Sequence, residues 1–287
     1  MKGGYVLQTT LYMLQEQGDL QMMSYVLQTR EGNLIVIDGG GRAEAKNLTD
    51  TLVKLGGGEP TVDLWLLTHP HADHVGALLE IFSKPNPLKV KRIYSRFLPH
   101  RFYEAYDPAK CVDVVTPEFE RLAADNQKIC VSFERGQVLT AGSVRITVLR
   151  VPDTSITEDA VNNSSVVFRV DAEGQRILFV GDLGEEAGER VMEEVPAGEL
   201  AADFVQMAHH GQNGVKKSFY EAVGPRACLW NTPVWLWNNT QDVTGKSGYN
   251  TGPFQTVAVQ GWMKELGVRR HFVTKDGEQV LPLPYPL

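Results

Sequence analysis

The hydrophobic positions divide the chain into short apolar runs of strand length and longer stretches with helical periodicity. The run at 34–37 is apolar without alternation, which is typical of a strand buried on both faces, and the strand predicted at 62–67 ends in the apolar run 64–67. Gly18 and Asp19 separate two other β-prone runs and predict a hairpin. In the first half, this pattern predicts strands at 6–13, 22–29, 34–37, 62–67, 86–94, 129–133 and 137–140, and helices at 43–55, 75–83 and 117–126.

The second half repeats this rhythm of strands followed by helices. Its predicted strands cover 144–151, 165–170, 176–180, 204–208, 227–231 and 270–274, and its helices cover 185–194, 217–223 and 254–266. No low-complexity linker separates the halves, so two sheets packed face to face with helices outside fit better than two independent domains. We therefore predict an α/β (α+β) fold in a single domain over 1–287, built from two pseudo-repeated halves at about 1–140 and 141–287.

Four predicted strands end in loops that carry metal-type donors, and these loops contain five of the seven histidines. The donors, in chain order, are Asp38, then His69, His71, Asp73 and His74, then Asp182, then His209 and His210. If the strand ends converge on one edge, these side chains form one cluster of nitrogen and oxygen ligands. A mixed His/Asp site without thiolates suits zinc, with manganese or iron as alternatives.

So many donors favour two ions about 3.5–4 Å apart, bridged by a carboxylate and a water. Such a pair lowers the pKa of the shared water to roughly 7, makes hydroxide available at neutral pH, and stabilises negative charge on a carbonyl or phosphoryl oxygen. Hydrolysis is the chemistry that needs both effects. A structural zinc site would instead use four closed ligands, usually rich in cysteine.

Composition and charge narrow the class of protein. Hydrophobic residues are 43% and charged residues 22%, as in ordinary globular proteins, and three scattered cysteines predict no disulfide framework. A net charge of −7 argues against nonspecific nucleic-acid binding but does not exclude nucleic acid, because bound metals add positive charge. Neither a signal peptide nor a membrane span is recognisable, so we expect a cytoplasmic protein without a membrane partner. No particular oligomeric state is predicted.

The motifs resemble those of a known family. HxHxDH at 69–74, preceded by the turn Asp38-Gly39-Gly40 and followed by Gly181-Asp182 and His209-His210-Gly211, is similar to the pattern of the metallo-β-lactamase fold superfamily. The resemblance covers most of the chain, from Asp38 to about Asn231. It implies a four-layer αββα sandwich with the metal site at one edge of the two sheets.

A narrower resemblance concerns three segments of the second half, at 162–167, 177–182 and 205–211. They look like the hydrolase domain of the DNA-uptake competence protein ComEC, and bacterial phosphorylcholine esterase has a similar HHG pattern. Both relatives act on phosphodiester bonds, which favours a phosphoester substrate. Since the fold also carries lactam, thioester and lactone hydrolysis, this preference is an analogy at the level of the fold.

The resemblance also implies a role for each donor. His69 and His71 would hold the first metal, and Asp73 and His74 the second. Asp182 would bridge the two ions, and either His209 or His210 would complete the second site. Asp38 would orient a ligand histidine rather than bind metal. Asp73 and Asp182 are the predicted catalytic residues, and Asp73 would also orient the nucleophile or the leaving-group proton.

One position departs from the family pattern. Many members place another ligand histidine before the bridging aspartate, whereas here Asn163 occupies that place and becomes a candidate site residue. An amide oxygen is a poorer ligand than imidazole, so the first ion would be weakly held, open to substrate, or absent. We predict a metal-dependent hydrolase of phosphoesters or phosphodiesters that uses a metal-activated hydroxide. The alternatives are hydrolysis of a carbonyl ester, thioester or lactam, or a non-catalytic metal-binding protein.

Overall fold

The computed structural model describes residues 8–287, and most of the predicted strands and helices form within that range. Positions 6 and 7 of the first predicted strand lie outside the described residues. The strands are β1 (Thr10–Met13), β2 (Ser24–Gln28), β3 (Leu34–Asp38), β4 (Thr61–Leu66), β5 (Lys89–Val90), β6 (Ile93–Ser95), β7 (Cys130–Ser132), β8 (Val138–Ala141), β9 (Val144–Arg150), β10 (Val167–Ala172), β11 (Gln175–Phe179), β12 (Phe204–Gln206), β13 (Ala227–Trp230), β14 (Arg270–Val273) and β15 (Gln279–Pro282).

Helices connect many of these strands and cover the sheets from outside. They are α1 (Ala45–Gly56), α2 (Ala72–Phe82), α3 (His100–Tyr106), α4 (Thr116–Asp125), α5 (Glu185–Glu194), α6 (Ala197–Leu200), α7 (Lys217–Val223), α8 (Val234–Trp237) and α9 (Thr256–Glu265). Short 3-10 turns lie at Arg42–Glu44, Cys111–Asp113, Asn162–Ser164, Ala208–Gly211 and Thr274–Asp276.

The strands form two sheets. In the first, the order is β15-β1-β2-β3-β4-β6-β7, and β5 also pairs with β4. In the second, the order is β14-β13-β12-β11-β10-β9-β8. The central strands β3, β4 and β6 run parallel, as do β11, β12 and β13. The loops after β3, β4, β11 and β12 therefore leave from the carboxyl ends of parallel strands.

Alternate side chains of the central strands enter different apolar layers. Ile35 and Ile37 of β3 lie between the two sheets, together with Phe168 and Phe179 of the second sheet. Val36 faces the other way and contacts the outer helices of the first sheet. A third apolar layer joins the second sheet to α5, α7 and α9. Three apolar layers separate four layers of structure, which confirms the predicted αββα sandwich and explains the unbroken apolar runs.

The structure differs from the sequence prediction at two places in the first sheet. The strand predicted at 86–94 is interrupted at Lys91 and Arg92, which divide it into β5 and β6. Strand β5 pairs with the start of β4, and β6 pairs with its end. Strand β15 was not predicted, because Leu281 is its one buried residue and no apolar alternation marks it. It pairs with β1, so the end of the chain returns to the first sheet, whereas β8 already belongs to the second.

Candidate metal centre

The four donor loops meet where the edges of the two sheets come together. Backbone hydrogen bonds fix this meeting point: His209 N–H donates to the Gly181 carbonyl at 3.1 Å and joins two donor loops, while Val166 N–H, just before β10, donates to the Thr68 carbonyl at 2.9 Å and joins the two sheets. Gly181 has a φ of +56°, and a Cβ there would lie 2.8 Å from Ser165 Oγ and 2.9 Å from Thr68 Cβ. Glycine is required because only it combines this conformation with such a close approach.

Three histidines that follow β4 point into this junction: His69 and His71 lie in the loop, and His74 lies in the first turn of α2. His69 Nε2 lies 3.0 Å from His71 Nδ1, so these two nitrogens face each other. His74 Nε2 lies 3.2 Å from Asp182 Oδ1, and His69 Nε2 lies 3.7 Å from Asp182 Oδ2. Asp182 comes from the second sheet, so its carboxylate lies between donors contributed by the first.

Asp38 lies behind His74 and is itself fully buried. Its Oδ2 lies 2.7 Å from His74 Nδ1 and accepts a hydrogen bond from Thr68 Oγ1 at 2.8 Å, while its Oδ1 accepts the Thr68 backbone N–H at 2.7 Å. A carboxylate at Nδ1 holds a proton on that nitrogen, so Nε2, which faces Asp182, is the atom that a metal ion would use. The residue thus has the position of an orienting group.

The loop after β12 separates the two adjacent histidines. His210 Nε2 lies 3.2 Å from Asp73 Oδ2 and 3.4 Å from Asp182 Oδ2, and its Nδ1 faces the Asn231 carbonyl at 3.2 Å. His209 Nδ1 faces the Asn213 carbonyl at 2.9 Å, and its Nε2 is 3.9 Å from Asp182 Oδ2. Both residues have left-handed backbone conformations, with φ of 50° and 56°. Such conformations cluster at functional sites, because the surrounding structure must hold them.

The donor set fits divalent cations. Among residues 8–287, His74 Nε2, Asp182 Oδ1 and His210 Nε2 are buried close to one another but form no hydrogen bond of suitable geometry. Two groups have ligand atoms within 4.8 Å of one another, and they share His74: His69, His74 and Asp182, and Asp73, His74 and His210. Buried polar atoms without partners are rare in native proteins, and a bound metal is one way to satisfy them. These clusters could therefore hold metal, in agreement with the predicted divalent site.

The electrostatics of the cluster point the same way. Burial alone would lower the pKa of His74, but the carboxylates of Asp182 and Asp38 raise it well above its usual value. Burial would raise the pKa of Asp182, but His74 and His210 lower it well below its usual value. In contrast, burial lowers the pKa of His69, which keeps that imidazole neutral. Buried carboxylates thus attract protons or cations to this point, which is the environment a metal needs.

Asn163 occupies the sequence position of a ligand histidine, but its side chain forms hydrogen bonds at the start of α5. Its Oδ1 accepts hydrogen bonds from the backbone N–H groups of Gly184 and Ala187, at 3.0 and 3.2 Å. Its Nδ2 donates to the Glu158 carbonyl at 2.8 Å. Both ends of the amide are therefore used at the start of α5. In the structure, Asn163 supports the loop that carries Asp182 and does not direct a free oxygen at the donor cluster.

A cavity of about 620 Å³ opens onto the donor cluster and is lined by His71, Asp73, Asp182 and His209. Its other walls come from the β1–β2 hairpin loop, the turn after β3, and the loop around Lys110. Lys110 was not singled out from the sequence, because a single lysine in a polar loop has no distinguishing pattern. Asn231 was also missed, because its backbone carbonyl, and not its side chain, faces His210.

A family model described as the metallo-beta-lactamase superfamily matches residues 18–219, which is more than half of the chain. The chain belongs to the metallo-β-lactamase superfamily, whose members are generally metal-dependent hydrolases. This assignment confirms the resemblance seen in the HxHxDH, GD and HHG motifs.

A curated relative supports the narrower resemblance. ComE operon protein 3 of Bacillus subtilis (strain 168) is 29% identical to this chain over 174 residues. The match covers 58% of this chain and 20% of the relative, so the chain is similar to about one fifth of that protein. The similarity confirms the predicted likeness to the ComEC-type hydrolase domain.

Solved structures show the same fold at low sequence identity. The metallo-β-lactamase fold protein YhfI from Bacillus subtilis matches with a TM-score of 0.54 and 14% identity, over 94% of this chain and 98% of YhfI. CmlA, a diiron β-hydroxylase from Streptomyces venezuelae, matches with a TM-score of 0.58 and 14% identity, over 96% of this chain and 54% of CmlA. Because one of these proteins is a hydroxylase, the shared fold alone does not define the reaction.

Among residues 8–287, none of the helices combines the length and the apolar character that crossing a membrane requires.

Proposed function

We propose that this protein is a metal-dependent hydrolase of phosphoesters, with phosphodiesters as the favoured class. The observation that carries the proposal is the charge of the cavity beside the donor cluster. Five carboxylates and two cations line it, which leaves three negative charges. Two divalent ions would add four positive charges at this acidic surface. Bound metal would therefore make the cavity far more attractive to an anionic substrate.

Each residue of the donor cluster has a role in this proposal. His69 and His71 would hold the first ion, and Asp73, His74 and His210 the second, with Asp182 between them. When bound, the ions lower the pKa of water and stabilise negative charge on a phosphoryl oxygen. Asp73 lines the cavity and would orient the attacking water or the leaving-group proton.

Three groups outside the ligand set orient histidines of the donor cluster. Asp38 keeps the proton of His74 on Nδ1. The Asn231 carbonyl does the same for His210, and the Asn213 carbonyl for His209. Partners of this kind fix the tautomer and the ring orientation of ligand histidines. His209 lines the cavity, and its Nε2 is farther from Asp182 Oδ2, at 3.9 Å, than the Nε2 of His210, at 3.4 Å, so we assign it to the substrate side of the centre rather than to the second ion.

The similarity to ComE operon protein 3 and to the ComEC-type hydrolase domain supports phosphoesters over carbonyl substrates. The test is to purify the protein, measure bound metal by mass spectrometry, and assay three substrates with added zinc or manganese. The substrates are bis-p-nitrophenyl phosphate, p-nitrophenyl phosphate and a chromogenic lactam. We expect turnover of the diester, and its loss in Asp182→Asn and His71→Ala.

His100→Ala is the matched control, because His100 lies on α3 beside Cys111 and Glu104 and is neither a donor of the cluster nor a residue that lines the cavity. It should retain wild-type turnover and metal content. Activity on the lactam alone would transfer support to a carbonyl hydrolase. Stoichiometric metal without hydrolysis of any of the three substrates would favour a non-catalytic metal-binding protein.

A further inference from the structure

Lys110 lines the metal-centre cavity and is paired with an acidic residue of a neighbouring loop. It lies just after α3, in the cavity wall that also includes Ala109 and Asp113. Its ammonium group forms an ion pair with the carboxylate of Asp159, and 38% and 31% of the two side chains are exposed. An ammonium group has three donor hydrogens, so one carboxylate does not use all of them.

The second cation of the cavity wall is more fully engaged. Arg42 Nη2 lies 2.5 Å from Glu118 Oε2, and Nη1 lies 3.9 Å from Glu80 Oε2. Two carboxylates outside the cavity therefore hold this guanidinium group. Among residues 8–287, Lys110 is the cavity-lining cation that has a single carboxylate partner.

The ion pair is not required to hold the loop in place. Val161 N–H donates to Asp107 Oδ2 at 3.3 Å, and Tyr103 Oη donates to Ser164 Oγ at 3.1 Å, so two other contacts join the same segments. A separate apolar cluster packs beneath them and consists of Leu98, Phe102, Tyr103, Val114, Ala160 and Val161. Half-exposed ion pairs contribute little to stability, which makes a purely structural role for Lys110 a weak explanation.

We propose that Lys110 binds an anionic oxygen of the substrate, and that Asp159 competes with the substrate for the same ammonium group. The identity of the anion as a phosphoryl group rests on the proposed function. When the substrate binds, the Lys110 ammonium group would then either break its ion pair with Asp159 or contact Asp159 and the substrate together. Removing the lysine and removing the competing carboxylate should therefore have opposite effects on anion binding.

Opposite effects of the two substitutions would distinguish a lysine that binds the substrate from a purely structural ion pair. In a structural ion pair, both substitutions break the same contact and should have the same effect. The variants are Lys110→Ala, Lys110→Arg and Asp159→Asn. Asparagine suits position 159, because Asp159 has a φ of 47° and asparagine tolerates the left-handed region. The probe is inorganic phosphate, titrated calorimetrically into the zinc-loaded protein, with KM and kcat for bis-p-nitrophenyl phosphate as the second readout.

We expect Lys110→Ala to weaken phosphate binding about tenfold, the usual scale for one charge-assisted contact. KM should rise by a similar factor, with kcat changed less than about twofold, since the contact forms in the ground state. Lys110→Arg should bind close to wild type. Asp159→Asn should tighten phosphate binding about threefold, because the ammonium group loses its competitor.

Lys217→Ala is the matched control. Lys217 also forms exposed ion pairs, with Glu265 at 2.8 Å and Glu221 at 3.5 Å, but does not line the cavity. Its phosphate affinity should equal that of wild type. The proposal is overturned if the metal-loaded wild type does not bind phosphate, if Lys110→Ala binds it normally, or if Asp159→Asn weakens binding.

The two proposals fail separately. If the wild type does not hydrolyse the diester, the proposed function is contradicted. The order of phosphate affinities still tests Lys110 in that case, because phosphate binding does not depend on turnover. Thermal unfolding of each variant checks that a change in affinity is not caused by loss of folded protein.

Discussion

Replacing Asp38 with asparagine would test how the protein holds His74 ready for metal. Asp38 has a φ of 56°, a conformation that asparagine also adopts, so the backbone should be retained. The new amide oxygen would still accept the Thr68 backbone N–H. The amide nitrogen would replace Oδ2, which now lies 2.7 Å from His74 Nδ1. An N–H at that point forces His74 to carry its proton on Nε2, the atom that faces Asp182.

The magnitude follows from this change of tautomer. Loss of an orienting partner typically costs 10–100-fold in metal affinity, which is about 1.4–2.7 kcal/mol. The metal-free protein should lose about 1–3 kcal/mol of stability, because charge-assisted hydrogen bonds to a buried carboxylate are replaced by weaker ones. Metal affinity would be measured by competition with a chromophoric chelator, and stability by denaturant unfolding after the metal has been removed.

Asp63→Asn serves as the control. Asp63 lies on β4 of the same sheet, where Oδ2 accepts the Leu34 N–H at 3.1 Å and Oδ1 pairs with Lys91. We expect it to lower stability without changing metal affinity. Wild-type metal affinity in Asp38→Asn would refute the view that Asp38 sets the tautomer of His74.

Three other changes test the centre and its supports. His210→Ala should release about one of two ions in metal analysis, because His210 faces Asp73 and Asp182; retention of both would contradict its assignment. Gly76→Ala should lower the free energy of unfolding by about 1–3 kcal/mol, since its Cβ would lie 2.8 Å from Arg42 N, and the loss should appear as a lower melting temperature. Phe179→Ala should cost about 3–5 kcal/mol in denaturant unfolding, because Phe179 is fully buried between the sheets; a smaller loss would indicate that the core collapses around it.

The sequence was sufficient to predict much of the fold. The run at 34–37 is apolar at every position because Ile35 and Ile37 face the intersheet core while Val36 faces helices. Burial on both faces leaves a signal that needs no knowledge of neighbours. Strand β15 has no such signal, since Leu281 is its one buried residue. Its place is decided by pairing with β1, a contact across almost the whole chain.

The candidate site divides in the same way. The spacing of His69, His71, Asp73 and His74 is local, so the density of donors could be recognised without coordinates. The pairing of Lys110 with Asp159 could not, because the two residues come from separate loops and neither stands out in composition. Contacts between distant segments depend on how the sheets pack, which no local pattern encodes.

By itself, the sequence determined that donors follow strand ends and that the strands are buried on both faces, because both properties belong to short segments. Tertiary structure decided which donors face one another. The adjacent residues His209 and His210 are alike in sequence, yet left-handed backbone at both turns His210 toward Asp73 and Asp182 and turns His209 toward the cavity. Tertiary structure also decided that the side-chain amide of Asn163 forms its hydrogen bonds at the start of α5. These outcomes depend on contacts that form only when segments distant in sequence come together in the folded protein.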